Sequence, residues 1–170
     1  MKPEDRTEPP YVGDDRAILA GFLDFHRDTL VMKCSGLTPE QLRERSVPPS
    51  SLSLLGLVRH LAEVERGWFR RGVAGEDVGP LYYTEEEPDL DFDDVDDATA
   101  EDVDGAFAAW RFEVQRAGEI SAATPLDHTF TRRGREFSHR WVLTHMVEEY
   151  ARHNGHADLL RERIDGVTGE

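Results

Sequence analysis

Between His145 and Glu162 the chain sets two kinds of side chain on one helical period, and few folds can house both. Val142, Met146, Tyr150, Ala157, Leu160 and Ile164 fall on one apolar stripe at ~100° per residue. Glu149 and His153 project into the middle of that stripe, while His145 and His156 fall toward its edge. Steps of three or four residues stack side chains on a single helix face. A carboxylate amid a core-facing stripe is costly unless something positive sits beside it. A bound metal ion is the simplest such partner, so this helix points to a site.

The rest of the chain is read around that helix. Residues 1–13 are polar, with Pro3, Pro9 and Pro10, and form an irregular lead-in. Asp14 or Asp15 caps a first helix to Cys34, with Ile18, Leu19, Phe22, Leu23 and Leu30 inward and a stop at Ser35-Gly36. Thr38-Pro-Glu-Gln41 reads as a capping box with proline at the first helical position. Ser51 or Ser53 caps a second long helix, Leu54 to Arg71, with Leu54, Leu57, Leu61, Val64 and Trp68 inward. Residues 72–99 make a long acidic connection. A third helix runs from Ala100 or Glu101 to Ala122, with Val103, Phe107, Trp110, Val114 and Ala117 inward, and Pro125 closes it. Alternation around Arg133-Gly134 predicts an extended or hairpin-like loop. Ser138 caps the last helix, His139 to Arg163, and Gly166 ends it. Four amphipathic helices without a sustained strand pattern predict an all-α four-helix bundle with long crossover connections, one domain over residues 14–166.

Composition narrows the function. At 38% hydrophobic and 32% charged, the chain suits a helical domain with a heavily solvated exterior. A net charge of -15 disfavours nonspecific contact with nucleic acid or an anionic membrane. Much of the excess lies in Glu85-Glu86-Glu87 and in the run Asp89 to Asp97, read as a solvated loop. Cys34 is the one cysteine, which excludes an intrachain disulfide, Cys-based zinc sites and CxxC redox motifs. It reads as a small buried or half-buried residue near a helix end. No signal-peptide pattern opens the sequence and no apolar run approaches the ~20 residues of a membrane span, so the expected compartment is the cytoplasm.

Glu149 and His153, one turn apart and both inward, can reach one ion. They need a further ligand from another helix. His60 is the best donor, about 60–80° off the centre of its own helix's stripe. Two imidazoles and one carboxylate suit zinc, nickel, iron or manganese and leave a position open for water or substrate. The zinc-protease HExxH, the paired Glu-x-x-His motifs of di-iron bundles, the GxSxG elbow and a Gly-rich phosphate loop are all missing. His26, in the middle of the first helix's stripe, is a core histidine or a lining group of the same cavity. His145 and His156 are groups behind the ligands, proton shuttles, or plain surface residues. Arg132, Arg133 and Arg135 are a solvated loop or a clamp for carboxylates of a substrate or cosubstrate.

Two stretches carry a family resemblance. Pro49-Ser-Ser-Leu-Ser-Leu-Leu-Gly-Leu-Val-Arg-His60-Leu-Ala-Glu-Val-Glu65, with Glu148-Glu-Tyr-Ala-Arg-His153-Asn-Gly-His156-Ala-Asp158, resembles the DinB-like superfamily, and within it the DUF664 or mini-circle group, over residues 14–166. The resemblance implies a four-helix bundle, often a homodimer, holding a divalent metal through three side chains. Many such proteins use three histidines. Here Glu149 stands where one of them would lie, and the chain is similar instead to the metal-binding domain of mycothiol-dependent maleylpyruvate isomerase, whose metal is held by two histidines and a glutamate. That isomerase has a second domain with no counterpart in these residues, so the likeness is to its metal-binding part alone. Carried over, the ligands are His60, Glu149 and His153. The implied activity is a metal-dependent transferase, zinc being the first choice of metal. It would use a low-molecular-weight thiol such as mycothiol against a small electrophile. Two rival readings are a non-catalytic metal-binding or stress-response bundle and a metal-dependent hydrolase.

Overall fold

The computed structural model describes residues 5–168. Residues 1–4, which begin the predicted lead-in and include Pro3, lie outside the described residues. Helix makes up 62% and strand 5%, so the chain is mainly α. Helix α1 spans Asp15–Cys34, α2 Pro39–Arg43 and α3 Leu54–Glu65, which continues as a π-helical segment over Arg66–Val73. A single turn, α4, occupies Leu90–Asp93. Helix α5 spans Ala100–Ala123, strands β1 and β2 cover Thr129–Arg132 and Arg135–Ser138, and α6 runs His139–Asp165. Helix α1 packs on α6, α3 on α5, and α3 meets α6 in the middle.

Local chemistry sets most of these boundaries. The side chains of Asp14, Thr38, Ser53, Thr99 and Ser138 each accept a backbone N–H of the helix that follows, with capping boxes at Thr38–Gln41 and Thr99–Asp102. Gly166 ends α6 in the left-handed region at φ 79°. The hairpin pairs Phe130 with Phe137 and Arg132 with Arg135. Its turn holds Arg133 and Gly134 at φ 50° and 74°, both positive as a tight two-residue turn needs.

Three expectations change. Phe22 is 44% exposed, because the buried face of α1 is centred on Leu23, Arg27, Leu30 and Cys34. Arg27 can lie inward since Glu65 of α3 takes its guanidinium in a two-pronged ion pair, Nε to Oε1 at 2.8 Å and Nη2 to Oε2 at 2.7 Å. Tyr150 also donates to Glu65 Oε1 at 2.8 Å, and Trp110 Nε1 donates to the Tyr150 hydroxyl at 2.8 Å. This buried network adds a polar contact to the stripe expected of α3, whose Leu54, Leu57 and Leu61 are fully buried. The second change is the switch to π-helix directly after Glu65. Phe69 becomes buried, while Val64 and Trp68, expected inward, are left half-buried.

The third change concerns the acidic run. Asp91, expected in a solvated loop, is buried. The connection is pinned to α3 at several points. Glu63 accepts the backbone N–H groups of Leu81 and Tyr82, the latter at 2.7 Å. Arg59 donates to the carbonyls of Leu90, at 3.0 Å, and Asp94, which bracket α4. These bonds lay α4 beside α3, against His60.

Cys34 is buried at the end of α1, and burial pushes its thiol up to about 12, which makes it a poor nucleophile. Among the described residues no helix is long and apolar enough to cross a membrane.

Candidate metal centre

Helices α3 and α6 bring His60, Glu149 and His153 together, with one ligand-capable atom of each lying within 4.8 Å of the others. His153 is buried, while His60 and Glu149 are half-buried. His153 Nε2 lies 3.5 Å from Glu149 Oε2, and the His60 and His153 ring centroids are 4.7 Å apart. The Glu149 carboxyl is held below its usual range by the hydrogen bond from His153, against the opposing effect of burial. The nearby imidazoles of His145, His153 and His60 add to the lowering.

The two imidazoles are held from behind. His60 Nδ1 lies 2.8 Å from Asp91 Oδ2, and the Phe92 ring stacks on the His60 ring at 4.6 Å. The single turn α4 therefore delivers both an acceptor and a flat wall to one histidine. With Nδ1 engaged as a donor, the tautomer leaves Nε2 with a lone pair. His153 Nδ1 meets His156 Nδ1 at 3.4 Å, so its Nε2 is likewise the atom that faces Glu149. Burial pushes the His156 imidazole down, with His153 and Arg152 adding to the effect. The donor set fits a divalent ion of the zinc type: two imidazole nitrogens, that of His60 oriented by a carboxylate on the far side of its ring, and a carboxylate held ionised among them.

His145 occupies the rim. Its Nε2 lies 3.3 Å from Glu149 Oε1 and its Nδ1 3.0 Å from Glu148 Oε2, so one ring joins an inner and an exposed carboxylate. His145, Glu148 and Glu149 form a second group of metal-capable atoms. The His145 ring stacks on Trp141, with centroids 4.7 Å apart, and meets the edge of Trp68 at 5.0 Å.

The aromatic cluster continues to the hairpin. Phe137 lies 4.8 Å from Trp141 and 5.3 Å from Trp68, and the Arg132 guanidinium sits 4.4 Å over the Trp68 ring. Arg132, Arg133 and Arg135 line a cavity of about 470 Å³ with Trp68 and Phe137. Gly72 in the π-helical segment lets the hairpin approach, since a Cβ there would lie 2.9 Å from two ring carbons of Phe130. His26 is not brought into this group. Asn154 Nδ2 donates to its carbonyl at 2.9 Å and lies 3.5 Å from its Nδ1, and its ring meets Phe25.

Sequence reasoning missed Asp91 and the aromatic wall of Trp68, Phe137 and Trp141. Asp91 was hidden in a run of identical charges. The aromatic wall is assembled from the π-helical segment, the hairpin and α6, and no local pattern links the three.

A model of the mycothiol-S-transferase family matches residues 18–166. No curated protein matches the chain.

Proposed function

Since the chain belongs to the mycothiol-S-transferase family, we propose that it is a divalent-metal-dependent enzyme joining a low-molecular-weight thiol, mycothiol by family, to a small electrophile. The observation that carries this reading is the convergence of His60, Glu149 and His153, with Asp91 and His156 behind the two imidazoles. The four long helices α1, α3, α5 and α6 are read as a DinB-like four-helix bundle over residues 14–166.

His60, Glu149 and His153 would hold the ion, zinc first, with nickel, iron and manganese also compatible with such ligands. When bound, such an ion supplies Lewis acidity that favours the thiolate form of a thiol, with a coordination position left over by three protein ligands. Asp91 orients His60 and keeps its Nδ1 protonated. His156, whose charged form burial disfavours, stands 3.4 Å from His153 Nδ1 and can accept a hydrogen bond from it. His145 relays a proton between the cluster and the exposed Glu148 side, because its two nitrogens face Glu149 and Glu148. The hairpin arginines stand on the substrate side, reached from His145 through Trp68.

Elemental analysis of untagged protein, combined with a thiol-conjugation assay, tests this reading. Conjugate should form only when both metal and thiol are present, and His60→Ala should abolish metal and turnover while the protein stays folded. Cleavage of an ester or amide without thiol would establish a hydrolase instead. Loss of folding in His60→Ala, with no turnover by the parent protein, would establish a structural metal.

A further inference from the structure

We propose that the cavity between the β1–β2 hairpin and Trp68 is the electrophile subsite, and that it selects a molecule with an oxyanion group on a flat apolar body. The proposal rests on the transferase reading above for the word electrophile; the oxyanion site itself stands on the geometry.

Three observations support it. The first is charge left without a partner. The chain carries a net charge of -15, and Arg27, Arg66, Arg70 and Arg116 each sit on a carboxylate. Among the described residues, Arg132, Arg133 and Arg135 have no side-chain hydrogen bond or ion pair, yet they share one cavity. Arg71 stands beside Arg132 across Gly67 but is already engaged, with Nη2 3.6 Å from Glu63 Oε2 and Nη1 donating to the Tyr83 hydroxyl at 3.1 Å, so the open acceptor positions belong to the hairpin arginines. Burial, together with the charges of Arg71 and Arg133, disfavours the charged form of Arg132. An oxyanion docked among them relieves that repulsion and supplies the missing acceptors.

The second observation is shape. The Arg132 guanidinium carbon lies 4.4 Å over the Trp68 ring, and its N–H groups make no hydrogen bond to a side chain, so they are donors a two-oxygen acceptor could use. Trp68 and Phe137 supply the remaining walls, and aromatic faces favour a planar apolar body.

The third observation is reach. Arg132 touches Trp68, Trp68 meets His145 at 5.0 Å, and His145 Nε2 lies 3.3 Å from the metal-capable Glu149. The cavity and the cluster thus share one wall, Trp68 facing the hairpin arginines and His145 in turn, and a small aromatic or unsaturated acid anchored at the hairpin would rest on that wall.

The test compares trans-cinnamate and phenyl phosphate with neutral cinnamamide, by equilibrium dialysis against untagged protein with metal present and after chelation. At least one anion should bind tenfold or more tighter than cinnamamide, the tighter of the two identifying the oxyanion. Arg132→Gln should bring that anion to the cinnamamide level, as should Arg135→Gln at its exposed position, with far-ultraviolet circular dichroism unchanged. The preference should weaken with added salt and survive chelation. Equal binding of all three probes would overturn the proposal. So would an anion preference that disappears on chelation and ignores both arginine substitutions, since the oxyanion would then sit on the metal. Neither result touches thiol transfer. Conversely, an arginine-dependent anion site in a protein that forms no thiol conjugate upholds the subsite and removes the transferase reading.

Discussion

Asp91 Oδ2 stands 2.8 Å from His60 Nδ1, with Asp91 buried and His60 half-buried. One member of an acidic run thus fixes the tautomer and angle of a candidate ligand. Arg59 makes this possible by holding the α4 carbonyls of Leu90 and Asp94. Asp91→Asn keeps the shape and weakens the acceptor. Metal affinity, measured by competition with a chelator, should fall by about 10–100-fold, with little change in the stability of the metal-free protein.

The Arg27–Glu65 pair gives a stability prediction of opposite character. Both side chains are buried, and Tyr150 shares the carboxylate. Glu65→Gln leaves Arg27 with only the exposed Asp24, 2.9 Å from its Nη1, as a charged partner, and should cost on the order of 3 kcal/mol in urea unfolding at neutral pH. The double change Arg27→Met with Glu65→Leu should recover most of that loss, because it removes both desolvated charges together.

Acid sensitivity should come in part from His139. Its ring is buried, with Nε2 3.0 Å from Ser121 Oγ and Nδ1 3.1 Å from the Thr124 carbonyl, an arrangement that suits a neutral imidazole. Burial pushes its pKa below the model-peptide value of 6.5. The unfolded chain therefore takes up a proton first as pH falls through 6.5, and the folded state loses stability from there down to the lowered value. His156 is lowered in the same direction and adds to the trend. Thermal melts of metal-free protein should show a larger drop from pH 7.5 to 5.5 in the parent than in His139→Gln.

Gly72 controls the seating of the hairpin. Adding a methyl group there meets the Phe130 ring at 2.9 Å, and the neighbour must move. Gly72→Ala should cost about 1–3 kcal/mol. It should also weaken anion binding at the hairpin cavity more than it weakens metal binding, as read by dialysis and chelator competition on the same sample.

The helix ends were legible because caps are local. Asp14, Thr38 with Gln41, Ser53 and Ser138 each act within three residues of themselves. The hairpin was legible from its alternation around Arg133-Gly134. His60, Glu149 and His153 were singled out because a carboxylate and an imidazole at helical spacing disturb an apolar stripe. Their role as ligands remains the proposal made above. Arg27, Glu65 and Asp91 were not legible. Each is buried only because a partner more than a dozen residues away neutralises or holds it, and periodicity carries no information about such pairs. The π-helical segment was hidden for a related reason. The segment packs against α5 and the hairpin, which are distant in sequence, and Gly72 has meaning only once Phe130 is seen beside it.

The hairpin and the metal-capable cluster belong to different kinds of backbone. His60, Glu149 and His153 are rooted in two long helices whose packing the whole core enforces, whereas residues 129–138 form a projecting loop seated by Phe130 on Gly72. On the proposed reading, selectivity and reactivity could diverge independently: exchanging the hairpin tip for another sequence would give the same chemical engine a new set of customers, and grafting these residues onto a relative would carry the preference with them.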